Sequence, residues 1–260
     1  MKNDILVHKR ITNMDKATFN INTLKVFYCV VQKKIREFFN DENGFTYEDN
    51  SFDWDEVDLD YIIKKEIRLH ISQLKKIYKG NKSLNEMYDS IRKMKSDIEY
   101  ESYYDLSGNR LNEKALIIMS LFRKKAIYRS EKEVGFILNE DMADHISNLS
   151  IFAKINIDEL LKLTTMNEIR LYEYICENNY HDENGNKNVR DEIRKIKIEN
   201  FKKYFDIPEH YKTNNIEQKF INPAVKGIRE KIGIHVRVVK LKLDTKHKNR
   251  VSHYRVDVIK

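Results

Sequence analysis

Cysteine, proline and glycine are all scarce in this chain, which has 2, 2 and 7 of them among its 260 residues. Cys29 and Cys176 each lie in an apolar stripe with helical spacing, which predicts buried thiols rather than a disulfide or a pair of metal ligands. No Pro-rich or Gly-rich spacer divides the chain. Any domains are therefore expected to pack together rather than to be joined by a loose linker.

Long apolar runs are missing as well. No run approaches the roughly 18 to 20 residues that span a bilayer. The N-terminal segment MKNDILVHKRITNMDKATFN lacks the apolar core and the small-residue cleavage site of a signal peptide. We therefore expect a cytoplasmic protein without a membrane partner.

The sequence motifs that would carry catalysis are incomplete. Segment 80–83 lacks the upstream glycine and the adjacent Gly-Lys pair of a phosphate loop. None of the 8 histidines has another two positions away, the spacing with which nicking enzymes hold a metal. Neither the acidic segment 53–60 nor DENGNKNVRDE has the pattern of a calcium loop. The sequence thus predicts no enzyme activity, no catalytic residue, no metal site and no cofactor.

Apolar residues are abundant, and the charge is unevenly distributed. The chain is 41% hydrophobic with 15 Tyr and 12 Phe, enough for two ordinary domains or one large one. Residues 161–260 carry 22 Lys and Arg against 14 Asp and Glu, a net of +8, whereas residues 1–160 carry 26 against 27, a net of −1; together these give the +7 of the whole chain. A cationic excess confined to one region indicates where a polyanion would bind, although a solvated lysine surface alone is the commoner cause.

The C-terminal region has the order of a DNA-binding module. An apolar-striped helix (166–178) precedes a second helix (198–208), a turn (210–215), a long helix (216–232) and two alternating strands (234–243 and 251–259). This is the plan of a winged helix-turn-helix. Its third helix can enter a major groove, and its strand hairpin, or wing, can lie against the DNA backbone.

The same order of elements occurs earlier in the chain. A helix near 21–39 and a strand at 67–71 are followed by short helices at 72–78 and 84–94 and by alternating stretches at 97–104, 115–128 and 133–138. Leu74-Lys75-Lys76 and Phe201-Lys202-Lys203 fall at the same place in each. Order and motif together predict an α+β protein of two tandem winged-helix domains, at 14–153 and 154–260. Coincidence in a Lys-rich chain is the alternative.

Apolar spacing predicts which faces of the helices are buried. The first helix is expected to be amphipathic, with one buried face formed by Leu24, Phe27, Tyr28, Val31, Ile35 and Phe38. In the helix at 84–94, the inward set is expected to be Leu84, Met87, Tyr88 and Ile91. In the long helix, a repeat of four residues predicts a buried stripe of Ile216, Phe220, Ala224, Ile228 and Ile232, widened by Ile221 and Val225.

The other face of the long helix carries the candidate DNA-contacting groups, which are Gln218, Lys219, Asn222, Lys226 and Arg229. Before it, Lys212 adds a cation, and Thr213, Asn214 and Asn215 can cap the helix or pair with base edges. We expect one of these three to cap and at least one to contact DNA. Pro223 lies inside the helix, where it removes an amide donor, so a kink or a restart is predicted there.

The two closing strands predict a wing with a cationic tip. The apolar register changes at Val238 and Val239, which predicts a bulge. The second strand is expected to turn Tyr254, Val256 and Val258 inward and His253, Arg255 and Asp257 outward. Lys246, Lys248 and Arg250, together with His247, form the tip. Phosphate contact and simple solvation explain that tip equally well.

Several runs, in order and at suitable spacing, resemble a known family. IRLYEYI (169–175), NFKKYFDI (200–207) with Tyr211, and KFINPAVKGI (219–228) resemble the second winged-helix domain of theta-type, iteron-binding plasmid replication initiators. NEDMADHI (139–146) followed by INIDELLKL (155–163) resembles the close of that family's first domain. The resemblance spans most of the chain and rests chiefly on the C-terminal region.

The resemblance implies a non-enzymatic initiator. Such proteins bind direct repeats at a plasmid origin as monomers, open a neighbouring AT-rich tract with host replication proteins, and often repress their own gene as dimers. The expected partners are double-stranded DNA at repeated origin sites and an operator, a host initiator, helicase or helicase loader, and a second copy of this chain. Domain 14–153 would supply the dimer interface and some DNA contacts, and domain 154–260 would bind DNA.

The resemblance also assigns individual residues. Lys219 matches a basic residue of the family's recognition helix, whereas Glu217 and Gln218 stand where further basic residues are common, and Gly227 replaces an acidic residue. Glu217 would repel phosphate unless it accepts a hydrogen bond from a cytosine amino group. In the first domain the corresponding DNA-contacting set is Lys82, Asn85, Arg92, Lys93 and Lys95. That second set rests on the resemblance, since a helix face with alternating charge is usually only solvated.

Two other functions stay open at this stage. One is a winged-helix transcriptional regulator that never unwinds DNA. The other is an origin-nicking endonuclease, which the missing metal-ligand spacing disfavours.

Overall fold

A computed structural model describes nine segments of the chain, which are residues 4–8, 20–41, 65–78, 82–95, 97–104, 110–140, 152–178, 195–242 and 251–259. The chain divides into two compact units. The N-terminal unit is Met14–Ile151, and the C-terminal unit is Phe152–Lys260 together with Met1–Asn13. Strand β1 (Asp4–His8) joins the C-terminal unit because it pairs antiparallel with β7 (Phe152–Asn156). As functional domains, 14–153 and 154–260 stay a prediction.

The described residues of the N-terminal unit form three helices and a three-stranded sheet. The sheet is antiparallel in the order β2-β6-β5, and β3 and β4 form a separate two-stranded ribbon. The elements are α1 (Ile21–Asp41), β2 (Ile67–His70), α2 (Ile71–Ile77), α3 (Leu84–Arg92), β3 (Asp97–Tyr104), β4 (Arg110–Ser120), β5 (Phe122–Tyr128) and β6 (Glu133–Leu138).

The C-terminal unit repeats this sheet topology in the order β8-β10-β9. Residues 213–232 form one helical segment, the long helix, which includes a π-helical turn. After β7 the elements are α4 (Ile157–Lys162), α5 (Met166–Asn178), β8 (Lys195–Lys197), α6 (Ile198–Tyr204), α7 (Thr213–Ile216), the π-helical turn (Glu217–Ile221), α8 (Asn222–Ile232), β9 (His235–Leu241) and β10 (His253–Ile259).

Each unit contains an equivalent hydrogen bond, and the order of elements is the same in both. In each unit a strand runs directly into a helix, and the first amide of that helix donates to the carbonyl of the residue before the closing strand. These bonds join Ile71 to Lys132 (2.9 Å) and Ile198 to Ser252 (3.1 Å). Leu74 and Phe201 are then each the fourth residue of their helix, and both are fully buried. The prediction of two tandem winged-helix domains in an α+β protein is confirmed.

Two predictions about the N-terminal core are wrong in detail. Helix α1 is buried on all sides from Thr23 to Val31, including Lys25, rather than along one stripe. In α3, Met87, Tyr88 and Ile91 are buried as predicted, but Leu84 is 36% exposed. Leu84 is the first residue of its helix, at the solvent-exposed end of the predicted apolar stripe. Ile35 and Phe38 have side chains outside the described set.

Aromatic packing forms the core of the C-terminal unit. The Phe201 ring of α6 lies 4.7 Å from the Tyr254 ring of β10 and 5.9 Å from the Phe220 ring of the long helix. Phe205 closes the cluster at 4.7 Å from Phe220. These contacts hold the long helix and strand β10 of the wing against the same helix, α6.

The long helix restarts at Pro223, as the sequence predicts. The amide of Asn222 donates to the carbonyl of Glu217, five residues back, and α8 begins there with proline in its first turn. A four-residue repeat drifts about 40° per step around an α-helix. The wider π-helical turn takes up about one additional residue, and this reduces the drift. Ile216, Phe220, Ala224 and Ile228 therefore all remain buried.

The wing strands differ from the sequence prediction in two ways. Strands β9 and β10 pair in one continuous register from Leu241 opposite His253 to His235 opposite Ile259, so the predicted bulge is wrong. Asp257 is 9% exposed rather than outward. It is retained there by ion pairs with Arg255 (3.1 Å) and Arg237 (3.5 Å), which compensate the buried carboxylate.

Cys29 is a buried thiol and Cys176 a partly exposed one, and neither forms a disulfide. Burial raises the pKa of the Cys176 thiol far above its ordinary value. The prediction of a buried thiol is confirmed for Cys29, whereas the Cys176 residue is only partly buried. Among the described helices, none combines the length and the apolarity needed to cross a membrane.

Gly227 provides space for a buried carboxylate. A Cβ at this position would lie 2.1 Å from Glu168 Oε1 and 3.0 Å from Glu168 Cγ. Glu168 is held by Lys231 Nζ at 2.5 Å and by the amides of Thr164 (2.7 Å) and Thr165 (3.2 Å). Gly227 thus leaves room for the carboxylate that α5 supplies.

We predict that Gly227→Ala lowers the free energy of unfolding by about 1 to 3 kcal/mol, because Glu168 must give up its partners to avoid the new methyl group. This outweighs the helix propensity of alanine, which favours the substitution by about 1 kcal/mol. Chemical denaturation measures the change. Lys226→Ala, at the exposed neighbouring position, should stay within about 0.5 kcal/mol of the parent. Equal stability of the parent and Gly227→Ala would contradict the packing.

The ion pair predicts a pH dependence of stability. Burial raises the pKa of the Glu168 carboxyl, but the hydrogen bonds from Lys231, Thr164 and Thr165 outweigh it, and the net pKa is lowered. Because the pKa of Glu168 is lower in the folded chain than in the unfolded one, its carboxylate stabilises the fold at pH values above about 4.3, the ordinary pKa of a glutamate. This stabilisation is lost as the pH falls through the pKa of the folded state. The parent should therefore exceed Glu168→Gln in unfolding free energy at neutral pH, with a gap that narrows under acid. A gap independent of pH would refute this.

Candidate nucleic-acid interface

The long helix presents one continuous polar face. Its members are the five exposed residues Gln218, Lys219, Asn222, Lys226 and Arg229. They lie opposite the buried stripe that ends on Ile228. Because amide and cationic side chains are the groups that contact base edges and phosphates, this face has the chemistry of a recognition helix.

The start of the long helix corrects the capping prediction. The helix begins at Thr213, and Lys212 is the N-cap residue, without a side-chain capping hydrogen bond among the described residues. Thr213, Asn214 and Asn215 therefore lie in the first helical turn, where a side chain no longer reaches the free amides as a cap does. Asn214 is exposed, and Thr213 and Asn215 are partly exposed. Their predicted role in DNA contact is untouched by this correction.

Neighbouring groups tune the charges of this face. Lys219 Nζ lies 4.8 Å from the centre of the Tyr211 ring, a cation–π contact that orients the ammonium. Lys226 pairs with Glu230 at 3.8 Å, and both side chains are well exposed. Glu217 pairs with Lys240 of β9 at 2.8 Å, so its charge is compensated from the wing. The face is thus polar and net cationic.

The tip of the wing, with Lys246, Lys248 and Arg250, lies outside the described residues. The base of the wing, where Leu241 and Ser252 adjoin the tip, is described. The Ser252 amide donates to the Leu241 carbonyl at 2.9 Å and closes the hairpin below the tip. The assignment of the three tip cations to phosphate contact stays a prediction.

In the N-terminal unit, the predicted residues lie at the two ends of α3. Lys82 and Asn85 are exposed near its start, and Arg92, Lys93 and Lys95 are exposed at and after its end. Lys82 Nζ lies 3.4 Å from Ser90 Oγ and 5.3 Å from the Tyr78 ring centre. Arg92 pairs with Asp89 at 3.2 Å. The set is thus spread along α3, because the Lys82 ammonium reaches Ser90 in the last turn of the helix.

Two groups at α3 were not predicted from the sequence. Ser83 and Glu86 form a reciprocal capping box, with the Ser83 amide donating to Glu86 at 2.6 Å. That hydrogen bond lowers the pKa of the Glu86 carboxyl. The Ser-x-x-Glu spacing in the sequence was sufficient to predict it.

Arg129 is the second group that was missed. It comes from the turn between β5 and β6, donates to Asn85 Oδ1 at 3.1 Å and lies 5.2 Å from the Tyr88 ring centre. One acceptor of Asn85 is therefore already engaged, and Arg129 adds a cation beside α3. Only the tertiary fold brings these residues together. Across the described segments, no cluster of three or more His, Cys, Asp or Glu side chains is arranged to hold a metal ion.

Comparison with known proteins gives two family matches. The model described as "Initiator Replication protein, WH1" matches residues 5–176, and "Initiator Rep protein, WH2" matches residues 197–258. The first match ends within α5, which lies in the C-terminal unit. No curated protein matches the chain.

Among solved structures, the chain is similar to a crystal structure of the Pi initiator protein in complex with iteron DNA. The TM-score is 0.53 at 11% sequence identity, with 99% of this chain and 97% of that chain covered, so the likeness is one of fold. Domains 2 and 3 of RctB give a TM-score of 0.49 at 10% identity, covering 93% of this chain and 83% of that one.

The exposed position of Lys219 predicts a measurable salt effect. A duplex selected by the protein from a random library should bind Lys219→Gln more weakly, and the slope of log affinity against log salt should fall by about 0.9 for one lost phosphate contact. Lys162→Gln, exposed at the end of α4, is the matched control and should leave both values unchanged. An unchanged slope with relaxed base preference would instead assign Lys219 to base contact.

Proposed function

The chain belongs to the initiator Rep protein family, and on that basis we propose that it is a plasmid replication initiator. It binds repeated DNA sequences at an origin through its two winged helices and promotes origin opening together with host factors. Its action is proposed to be non-enzymatic and to take place in the cytoplasm.

The observation that carries this proposal is the repetition of one fold with an exposed polar helix in each copy. Both units place a strand, two helices and a closing hairpin in the same topology. A protein with two such modules can contact two successive major grooves of one duplex. Repeats of roughly 20 base pairs, about two helical turns, would suit it.

The two modules are proposed to divide the contacts to DNA. In the C-terminal unit the long helix offers amides and cations together, so base contacts and phosphate contacts can come from one face. In the N-terminal unit the exposed groups are mostly cations at the helix ends, which suits phosphate contact. The proposed contacts in the C-terminal unit are Lys212, Thr213, Asn214, Asn215, Gln218, Lys219, Asn222, Lys226, Arg229, Lys246, Lys248 and Arg250. Those in the N-terminal unit are Lys82, Asn85, Arg92, Lys93 and Lys95.

Charge and fold support the same partner. The net of +8 in residues 161–260 supplies the long-range attraction to phosphate on which non-specific DNA affinity rests. The Pi initiator, which is similar in fold, was crystallised with iteron DNA. Dimerisation through the N-terminal unit, autorepression at an operator and recruitment of a host initiator, helicase or helicase loader complete the proposal.

Autonomous replication is the decisive test. A plasmid without another origin, carrying this gene and its flanking repeats, should transform a suitable host and be maintained at a stable copy number. The same plasmid with a nonsense codon in the gene should give no transformants. If the intact plasmid also fails while the protein is produced and binds the repeats, the chain is a regulator rather than an initiator.

Supercoiled origin DNA addresses nicking directly. Incubation of the purified protein with this DNA and a divalent metal should leave the supercoiled form intact, because an opening initiator distorts DNA without cleaving it. Conversion to a relaxed circle would replace the proposal with a strand-nicking enzyme.

A further inference from the structure

Glu217 is the one acidic residue at the start of the long helix. Its side chain is 27% exposed, close to the polar face that is proposed to contact DNA. An unpaired carboxylate there would repel phosphate, and the sequence alone offers only contact with a cytosine amino group as its use. The structure supplies a different partner.

That partner is the wing. Glu217 Oε1 lies 2.8 Å from Lys240 Nζ, a direct ion pair between the long helix and β9. Lys240 precedes Leu241, the last residue of β9. The Leu241 carbonyl accepts a hydrogen bond from the Ser252 amide. The pair therefore lies at the base of the wing.

A third element meets the same pair. Lys240 is directly opposite Tyr254 of β10 in the sheet register, and Tyr254 is fully buried. Burial, together with the nearby Glu217 charge, raises the pKa of Tyr254 to about 12. Glu217 thus lies close to both strands of the wing.

The backbone of Glu217 has a role of its own. Its carbonyl accepts the Asn222 amide and closes the π-helical turn. One residue therefore sets the phase of the polar face through its backbone and contacts the wing through its side chain. The aromatic core already holds the helix and the wing against α6, and the ion pair adds a polar restraint on the spacing between the helix and the end of β9.

We propose that Glu217 is a positioning residue that ties the base of the wing to the long helix through Lys240. By fixing that spacing it lets base contacts from the helix and phosphate contacts from the wing form on the same duplex. Glu217 itself does not contact a base. This inference rests on the proposed DNA-binding function.

Electrostatics and positioning make opposite predictions for Glu217→Gln. Removal of a negative charge beside DNA strengthens binding to every duplex alike, because phosphate attraction is independent of sequence. Loss of the fixed spacing weakens only the complex in which helix and wing must both be in register. The ratio of affinities for a selected duplex and for its scrambled version therefore isolates the positioning effect.

The experiment measures this ratio for the parent and five variants of the full chain. Glu217→Gln and Lys240→Gln should each lower it about two- to fivefold, the range expected for a partly exposed ion pair. The double variant should lower it no further than either single one, because both remove the same contact. The charge-reversed pair Glu217→Lys with Lys240→Glu should restore most of the ratio. Glu199→Gln removes the same charge from an exposed position of α6 and should leave the ratio unchanged.

The contrary outcomes are equally specific. An unchanged ratio in Glu217→Gln, or additive losses in the double variant, would overturn the proposal. Relaxed preference at a single base pair in Glu217→Gln but not in Lys240→Gln would make Glu217 a base-contacting residue, which also overturns it. If the parent itself shows no preference for the selected duplex, the proposed function fails first, and the positioning role fails with it.

Discussion

The packing of Phe201 is the constraint on which the C-terminal unit depends. Its ring contacts Phe220 of the long helix and Tyr254 of β10 at the same time. Aromatic contacts of this kind bury large areas and fix ring geometry. Because the helix and the wing are both held against α6, their polar groups face outward in a fixed relation. The ion pair between Glu217 and Lys240 then adds a polar connection at the edge of the same core.

In both units a glutamate carboxylate fills the space beside a glycine. Glu168 fills the space beside Gly227, and Glu66 fills the space beside Gly135, where a Cβ would lie 1.8 Å from its Oε1. Glu66 accepts hydrogen bonds from Tyr128 (2.7 Å) and Arg68 (3.0 Å). A scarce residue type is thus used where a neighbouring side chain needs the room. The missing side chain at Gly227 is part of the packing and not a gap in it.

The repeated topology was predictable because hydrophobic spacing and turn residues are local signals. The four-residue stripe through Ile216 and Phe220 predicted the buried face of the long helix, and with it the exposed set that includes Lys219 and Arg229. The predicted restart at Pro223 is also present. Local signals failed where the boundary depended on hydrogen bonding. The helix begins at Thr213 with Lys212 as its cap residue, so none of the three predicted side chains caps it.

The amino-acid sequence by itself determined the order of elements and the cationic C-terminal region, since these follow from residue spacing and composition along the chain. It also indicated the family, through the resemblance of runs such as KFINPAVKGI (219–228). The tertiary structure alone decided the partners of individual charges. Arg129 reaches Asn85, Lys240 reaches Glu217, and Asp257 is buried between two arginines. Apart from Arg255 with Asp257, these pairs join residues that are distant in the sequence. No periodicity along the chain encodes which cation a carboxylate meets when the sheet and helices pack.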